Sequence, residues 1–175
     1  MIVNKSDIKS PSWELVDQRQ GTLSPCQRSL HAAAVYKDNM LVFGGYDGHQ
    51  RLNDLHSYNF TTIRWCLLNN YRSPSPRDRH SAVIYDNNFC VFGGFDGISR
   101  VDDLHLYDLD NQQWRVIDDY IGTPPSARHS HSAVRWRDCL YIFGGKFPLY
   151  ITPLITNTLN YHMHILYFIY VIHRI

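Results

Sequence analysis

Three histidines, His31, His80 and His131, each stand three residues after an arginine, Arg28, Arg77 and Arg128, and are the side chains of this chain best suited to chemistry. Imidazole ligates metals and moves protons near neutral pH, and three of them on one ion would make a catalytic metal centre. Their spacing argues against that. They lie 80 − 31 = 49 and 131 − 80 = 51 residues apart, one to each copy of a long repeat, and a repeat architecture separates equivalent residues instead of gathering them. They are expected to be structural, with no metal. The four cysteines (Cys26, Cys66, Cys90, Cys139) form no C-x-x-C pair. Cys90 and Cys139 sit inside apolar runs, so free, buried thiols in a reducing compartment are expected. No G-x-S-x-G, no H-E-x-x-H and no phosphate-cradling glycine loop occurs, so neither a catalytic set nor a cofactor is expected.

The elements that hold these residues follow from the same period. Phe-Gly-Gly recurs at Phe43-Gly44-Gly45, Phe92-Gly93-Gly94 and Phe143-Gly144-Gly145. Aligned on the glycines, Tyr36, Tyr85 and Trp136 come into register, then Tyr46-Asp47-Gly48 with Phe95-Asp96-Gly97. Asn53-Asp54-Leu55-His56 matches Asp102-Asp103-Leu104-His105, and Trp65 matches Trp114. Trp13, fifteen residues before Arg28, holds the place those two tryptophans take before Arg77 and Arg128. Each unit reads as four short strands divided by turn signals. The first covers 31–36 and 80–85; the second, 40–43 and 89–92, is an apolar run ending in the double glycine, as in a strand buried on both faces. Lys37-Asp38-Asn39 and Asp86-Asn87-Asn88 are the hairpin residues between them. The third strand, 55–58 and 104–107, alternates apolar with polar; the fourth carries Trp65 or Trp114.

The double glycine, the spaced tyrosines and tryptophans and the Arg-x-x-His start together resemble the kelch-repeat family across residues 13–145, with fainter similarity at Arg-x-x-His and Asn-Asp-Leu to its leucine-zipper-like regulator group and to kelch-domain-containing adaptors. The fold class expected is all-β, a kelch-type β-propeller fragment of four-stranded antiparallel blades. Residues 1–12 form an N-terminal arm, 13–30 a partial blade, 31–79 and 80–130 two blades, 131–145 a second partial blade, and 146–175 a hydrophobic tail outside the repeat. Gly44, Gly45, Gly93, Gly94, Gly144 and Gly145 are expected to be glycine because the backbone crowds there. Trp65 and Trp114 are expected to fill the gap between blades, with the indole N–H on a backbone acceptor. Arg28 and Arg77 are expected to pair with Asp54 and Asp103, tying blades together.

Positions that break the repeat are the better functional candidates, since the scaffold does not require them. Before the first strand the units read Ser29-Leu30, Asp78-Arg79 and His129-Ser130; after the double glycine they read Tyr46, Phe95 and Lys146. The resemblance to substrate-adaptor kelch proteins implies that these positions border one mouth of the central channel. It nominates Leu30, Tyr46, Asp47, Arg79, Phe95, Asp96 and Ser130 as partner-binding residues, suited to a peptide with both charge and an apolar anchor.

Seventeen basic against sixteen acidic residues give a formal charge of +1, no footprint for nucleic acid. The chain starts without an apolar h-region, so no signal peptide is expected and the cytoplasm or the nucleus follows. Residues 147–175 contain no Asp, Glu or Gly. Their clean apolar run, 165–172, is far short of the ~20 residues a bilayer needs; it reads as an aggregation-prone strand and an ending unrelated to the repeat, not a membrane anchor. Propellers close with about 4–8 blades, more than this chain supplies, so either several chains assemble or the piece is an open arc with exposed edges. The function expected is a non-enzymatic interaction module for a protein or peptide, with a ubiquitin-ligase substrate adaptor as one form; the alternatives are a truncated metal-dependent kelch enzyme and a fragment without a folded function of its own.

Overall fold

The apolar runs and turn residues of the repeat translate directly into strands. The computed structural model describes residues 12–16, 23–119, 121–146 and 169–173. The first sheet holds β1 (Ala32–Tyr36), β2 (Asn39–Tyr46), β3 (Arg51–Asn59) and β4 (Arg64–Leu67). The second holds β5 (Ser81–Tyr85), β6 (Asn88–Phe95), β7 (Arg100–Asp108) and β8 (Gln113–Ile117). Both are antiparallel meanders in sequence order. The third sheet has β9 (His129–Trp136), β10 (Cys139–Lys146) and β11 (Ile169–His173). The all-β reading therefore holds, and the sheets are propeller blades.

β11 comes from the segment whose composition departs from the repeat. It pairs antiparallel with β10, Cys139 opposite His173 through Phe143 opposite Ile169, where the third strand of a blade belongs. Its Ile-Tyr-Val-Ile run has high strand propensity and no charge, which suits it to an open sheet edge.

The cores lie between blades. On one side of the second sheet Phe89, Val91, Tyr107 and Trp114 pack against Leu41, Phe43 and Leu55 of the first. On its other side Cys90, Phe92, Leu104 and Leu106 pack against Leu140 and Ile142 of the third. Strand alternation sends neighbours to opposite faces, and the second sheet is sandwiched, which is why β6 is apolar at every position from 89 to 92. Each large side chain so buried contributes about 1.5–3 kcal/mol.

The double glycine does not end the second strand as its composition implied: β2 and β6 run through it, with the register shifting between Phe43 and Gly45 and between Phe92 and Gly94. This bulge turns the strand and places Gly44 and Gly45 at φ of 62° and 100°. A Cβ on Gly45 would lie 2.6 Å from the Ser29 carbonyl oxygen.

The arginine positions carry more bonds than a charge pair. Arg77, 1% exposed, donates to both carboxylate oxygens of Asp103 (2.6 and 2.8 Å), to the Gly93 carbonyl (3.1 Å), and to the Ser75 carbonyl and hydroxyl (3.1 and 3.0 Å). Its backbone N–H donates to Leu52 O and its carbonyl accepts from Gly45 N–H, both in the preceding blade. Arg28 repeats the fork on Asp54. Burial favours the neutral acid at Asp54 and Asp103, yet hydrogen bonds from the arginine and from His56 or His105 outweigh it and hold both carboxyls well below the usual range.

Trp114 fills the gap between the first two blades, 5.2 Å from the Phe43 ring, whereas Trp65, on the outer side of the first blade, is half-buried. Neither indole N–H has a hydrogen-bond partner, so the expected backbone acceptor is absent and the rings act through packing. The thiols divide likewise: Cys26 and Cys66 are exposed, contrary to the expectation of buried cysteines, while Cys90 is buried and its thiol is pushed up to about 12 by burial, leaving it unreactive.

Candidate interaction surface at the propeller rim

Short segments before β1 and β5 and the first residues of β9 line one rim of the blades, and their backbones are bonded from blade to blade. Arg79 N–H donates to Leu30 O (3.0 Å) and Ser130 N–H to Arg79 O (2.8 Å). Leu30, Arg79 and Ser130 all adopt left-handed φ, at 59°, 56° and 58°. A non-glycine residue there is sparsely populated and is held only where its surroundings fix it. The sequence concealed this, because three unlike residues share the conformation. The strand ends beside them are paired too: Ser29 with Tyr46 and Asp78 with Phe95.

Leu30, Tyr46, Arg79, Phe95 and Ser130 are therefore brought onto one rim. Asp47 and Asp96 lie in the adjoining β2–β3 and β6–β7 loops. Oδ1 of Asp47 accepts from the amides of His49 and Gln50, and Oδ1 of Asp96 from those of Ile98 and Ser99, at 2.7–2.8 Å. These turn bonds hold both carboxyls below the ordinary value.

Between the nominated residues stands a group that sequence reasoning did not single out. Arg51 spans the aromatic pair, its guanidinium 4.6 Å from the Phe95 ring centre and 5.7 Å from that of Tyr46. Its Nε lies 3.1 Å from Oδ2 of Asp78, whose Oδ1 accepts from Arg79 at 3.0 Å. Asp78 is buried, so one carboxylate braces two arginines whose outer faces stay available. The next blade repeats the arrangement with changed residues. Arg100 takes the register place of Arg51, opposite Phe95 as Arg51 is opposite Tyr46, and His129 takes that of Asp78. Burial and the charges of Arg100, Arg79 and Lys146 lower the His129 pKa, keeping it neutral at pH 7, with Nδ1 2.9 Å from the Ser130 hydroxyl. Arg51 and Arg100 recur six residues after Gly45 and Gly94, the signal that would have found them.

The metal-candidate histidines directly follow the rim residues Leu30, Arg79 and Ser130, and the rings of His80 and His131 turn into the junctions between blades. His80 packs edge-on against Phe43 at 5.4 Å and His131 against Phe92 at 5.3 Å, each between a different pair of blades. Burial first, and the adjacent Arg77 or Arg128 second, lower their pKa values to about 3 and about 4.

Four-stranded antiparallel sheets stacked face to face, each closed by a bulged double glycine and a buried arginine fork, define blades of a repeat propeller. The chain belongs to the kelch-repeat family: the KLHDC2/KLHL20/DRC7 Kelch-repeats domain matches residues 2–166. It is 38% identical over 65 residues to the leucine-zipper-like transcriptional regulator 1 homolog of Drosophila melanogaster, covering 34% of this chain and 6% of that protein. It is also 55% identical over 31 residues to leucine-zipper-like transcriptional regulator 1 of Homo sapiens and of Mus musculus, covering 18% of this chain and 4% of each. The matched region is thus a small part of these curated relatives. Domains of this family are in general protein-interaction modules and not catalysts.

Proposed function

We propose that the chain is a peptide-recognition module whose rim, from Leu30 to Ser130, binds an extended segment of a protein carrying an acidic group beside an apolar side chain. The observation that carries this reading is the braced pair at the rim, Arg51 held between Tyr46 and Phe95 with Arg79 on the same buried Asp78. A guanidinium fixed in advance by ring stacking and an ion pair loses little freedom when it forks a carboxylate. Its flanking aromatic faces suit an apolar anchor. Arg100 and Lys146 add positive charge on the same side, so an anionic segment is favoured over a cationic one.

In this reading the chain recruits a partner and does no chemistry on it. Substrate presentation to a ubiquitin ligase, in the cytoplasm or the nucleus, is the form of recruitment we favour; the family membership and the absence of a catalytic motif from the sequence support it. The test is selection of a random peptide display library on the full chain. Enrichment of peptides sharing an acidic residue near an aromatic or aliphatic one, with binding lost in Arg79→Glu and Phe95→Ala but kept in Lys37→Glu on the β1–β2 hairpin, is expected. Selected peptides that bind all these proteins alike would contradict the assignment.

A further inference from the structure

The arginine site at Arg51 recurs one blade on with its compensating groups exchanged. Arg51 has its Nε 3.1 Å from the buried Asp78 carboxylate, and its guanidinium is flanked by the ring of Tyr46 from its own blade and that of Phe95 from the next. Arg100 holds the same register place, opposite Phe95 as Arg51 is opposite Tyr46. Both of its other partners differ. His129 stands where Asp78 does, and it pairs across the sheet with Lys146, whereas Asp78 pairs with Phe95. A carboxylate has given way to an imidazole and an aromatic ring to an ammonium.

Arg100 is left without a counter-charge by this exchange. Its Nε is buried with no hydrogen-bond partner, and it enters no salt bridge among the described residues. The Asp96 carboxylate on the adjoining loop is turned onto the amides of its own turn, and Asp78 is already shared between Arg51 and Arg79. After burial, the influences felt by the His129 ring are three cations, Arg100, Arg79 and Lys146, ahead of the one carboxylate, Asp78. Positive charge gathered in this way around a buried, unpaired guanidinium nitrogen costs stability until an anion meets it.

The number and kind of groups select the anion. A carboxylate has two oxygens in one plane and is matched by a single guanidinium fork, which the Arg51 half of the rim supplies. The Arg100 half supplies separate donors on different strands: a guanidinium on β7, an ammonium on β10, and the His129 ring with the Ser130 hydroxyl 2.9 Å from its Nδ1. A phosphate monoester carries about −1.5 to −2 charges and three strong acceptor oxygens, enough to meet such a set. We infer that the rim holds a second anion subsite, made by Arg100, His129 and Lys146 with Arg79 at its border, that takes the phosphate of a phosphorylated serine or threonine. The inference rests on the peptide-binding reading above and extends it: the acidic side chain of the segment meets Arg51 and Arg79, and the phosphate lies one blade further along. Phosphorylation then turns a weak ligand into a tighter one, because a single further hydrogen bond between charged groups is worth about tenfold in affinity.

The test uses the full chain, immobilised, and four fluorescent pools of degenerate peptides that differ only in a fixed central residue: phosphoserine, phosphothreonine, glutamate or serine. Retention of a phosphorylated pool about tenfold above the glutamate pool is expected, with glutamate above serine. Arg100→Gln and Lys146→Gln should each bring the ratio of phosphorylated to glutamate retention close to one. Lys37→Gln, which removes a positive charge on the β1–β2 hairpin, should leave that ratio as it is in the wild type. Circular dichroism checks that each variant is folded, and Lys146→Gln, at the end of β10, carries the test alone where Arg100→Gln unfolds. Equal retention of the phosphorylated and glutamate pools by the wild type would overturn the phosphate subsite and leave the acidic-peptide reading standing. Retention of no pool above the serine pool would overturn both. A ratio that survives in the rim variants, or that falls as far in Lys37→Gln, would overturn the assignment to Arg100 and Lys146.

Discussion

Replacing Ala32 by serine adds one hydroxyl at one blade junction, and the structure sets what it should do. His131 Nε2 bonds the Ser81 hydroxyl at 2.7 Å. His80, with the same edge-on packing against the preceding phenylalanine, has no partner on Nε2. The difference is one side chain: Ser81 pairs with Phe92 across the sheet and Ala32 pairs with Phe43, so alanine stands where the serine would be. A buried polar group without a partner costs about 1–3 kcal/mol, and a new hydrogen bond returns a net 0.5–1.5 kcal/mol. Ala32→Ser should therefore stabilise the chain by about 1 kcal/mol, raising Tm by about 2–4 °C for a chain of this length. Ser81→Ala, which orphans His131, should cost about 1–3 kcal/mol. Denaturant unfolding followed by tryptophan fluorescence reads both. An unchanged or lower midpoint for Ala32→Ser, with an unchanged slope, would refute the equivalence of the two junctions.

Three further outcomes follow from the geometry. Asp103→Asn leaves the buried Arg77 guanidinium without its counter-charge and should cost near the low end of about 3–5 kcal/mol, since Asp103 itself is partly exposed; the urea midpoint reads this. Stability should fall on acidification in two stages. His80 and His131 have folded pKa values of about 3 and about 4, below the unfolded 6.5, so the unfolded chain binds their protons first. Their contribution is whole above pH 6.5 and is lost between there and the folded values, at up to about 1.4 kcal/mol per pH unit for each histidine. Asp54 and Asp103, depressed below the unfolded 3.9, add a loss that begins only as pH falls below about 4. Unfolding measured from pH 7 to pH 4 should show a shallower pH slope in His80→Asn than in the wild type. Gly45→Ala should abolish folding, since its Cβ would strike the Ser29 carbonyl at 2.6 Å, whereas Gly48→Ala, with open space around it, should cost only about 1–2 kcal/mol of left-handed strain; circular dichroism separates the two.

What the sequence revealed and what it hid divide along physical lines. The strands, their order in a blade and the arginine–aspartate fork were legible because each depends on residue type at a fixed period, and Arg28/Asp54 and Arg77/Asp103 keep that period. The passage of β2 and β6 through the double glycine was not legible, because a bulge preserves pairing where composition alone reads a stop. At the rim, Arg51 escaped notice although its partner Arg100 lies in register: its importance comes from Asp78 beneath it and from two rings contributed by different blades. The apolar run that becomes β11 was legible as a strand but read as unrelated to the repeat; its place in the third sheet was hidden because the chain reaches it outside the repeat's spacing, and its role depends on the edge of β10 and not on a motif of its own.

Amide hydrogen exchange with a selected acidic peptide tests whether peptide binds at the braced Arg51–Asp78–Arg79 group proposed for the rim. Slowed exchange confined to residues 29–31, 46–51, 78–80, 95–100 and 129–131 is the predicted result. Protection that instead maps to the hairpins around Asp38, Asn87 and Asp138, at the opposite ends of the strands, would contradict it.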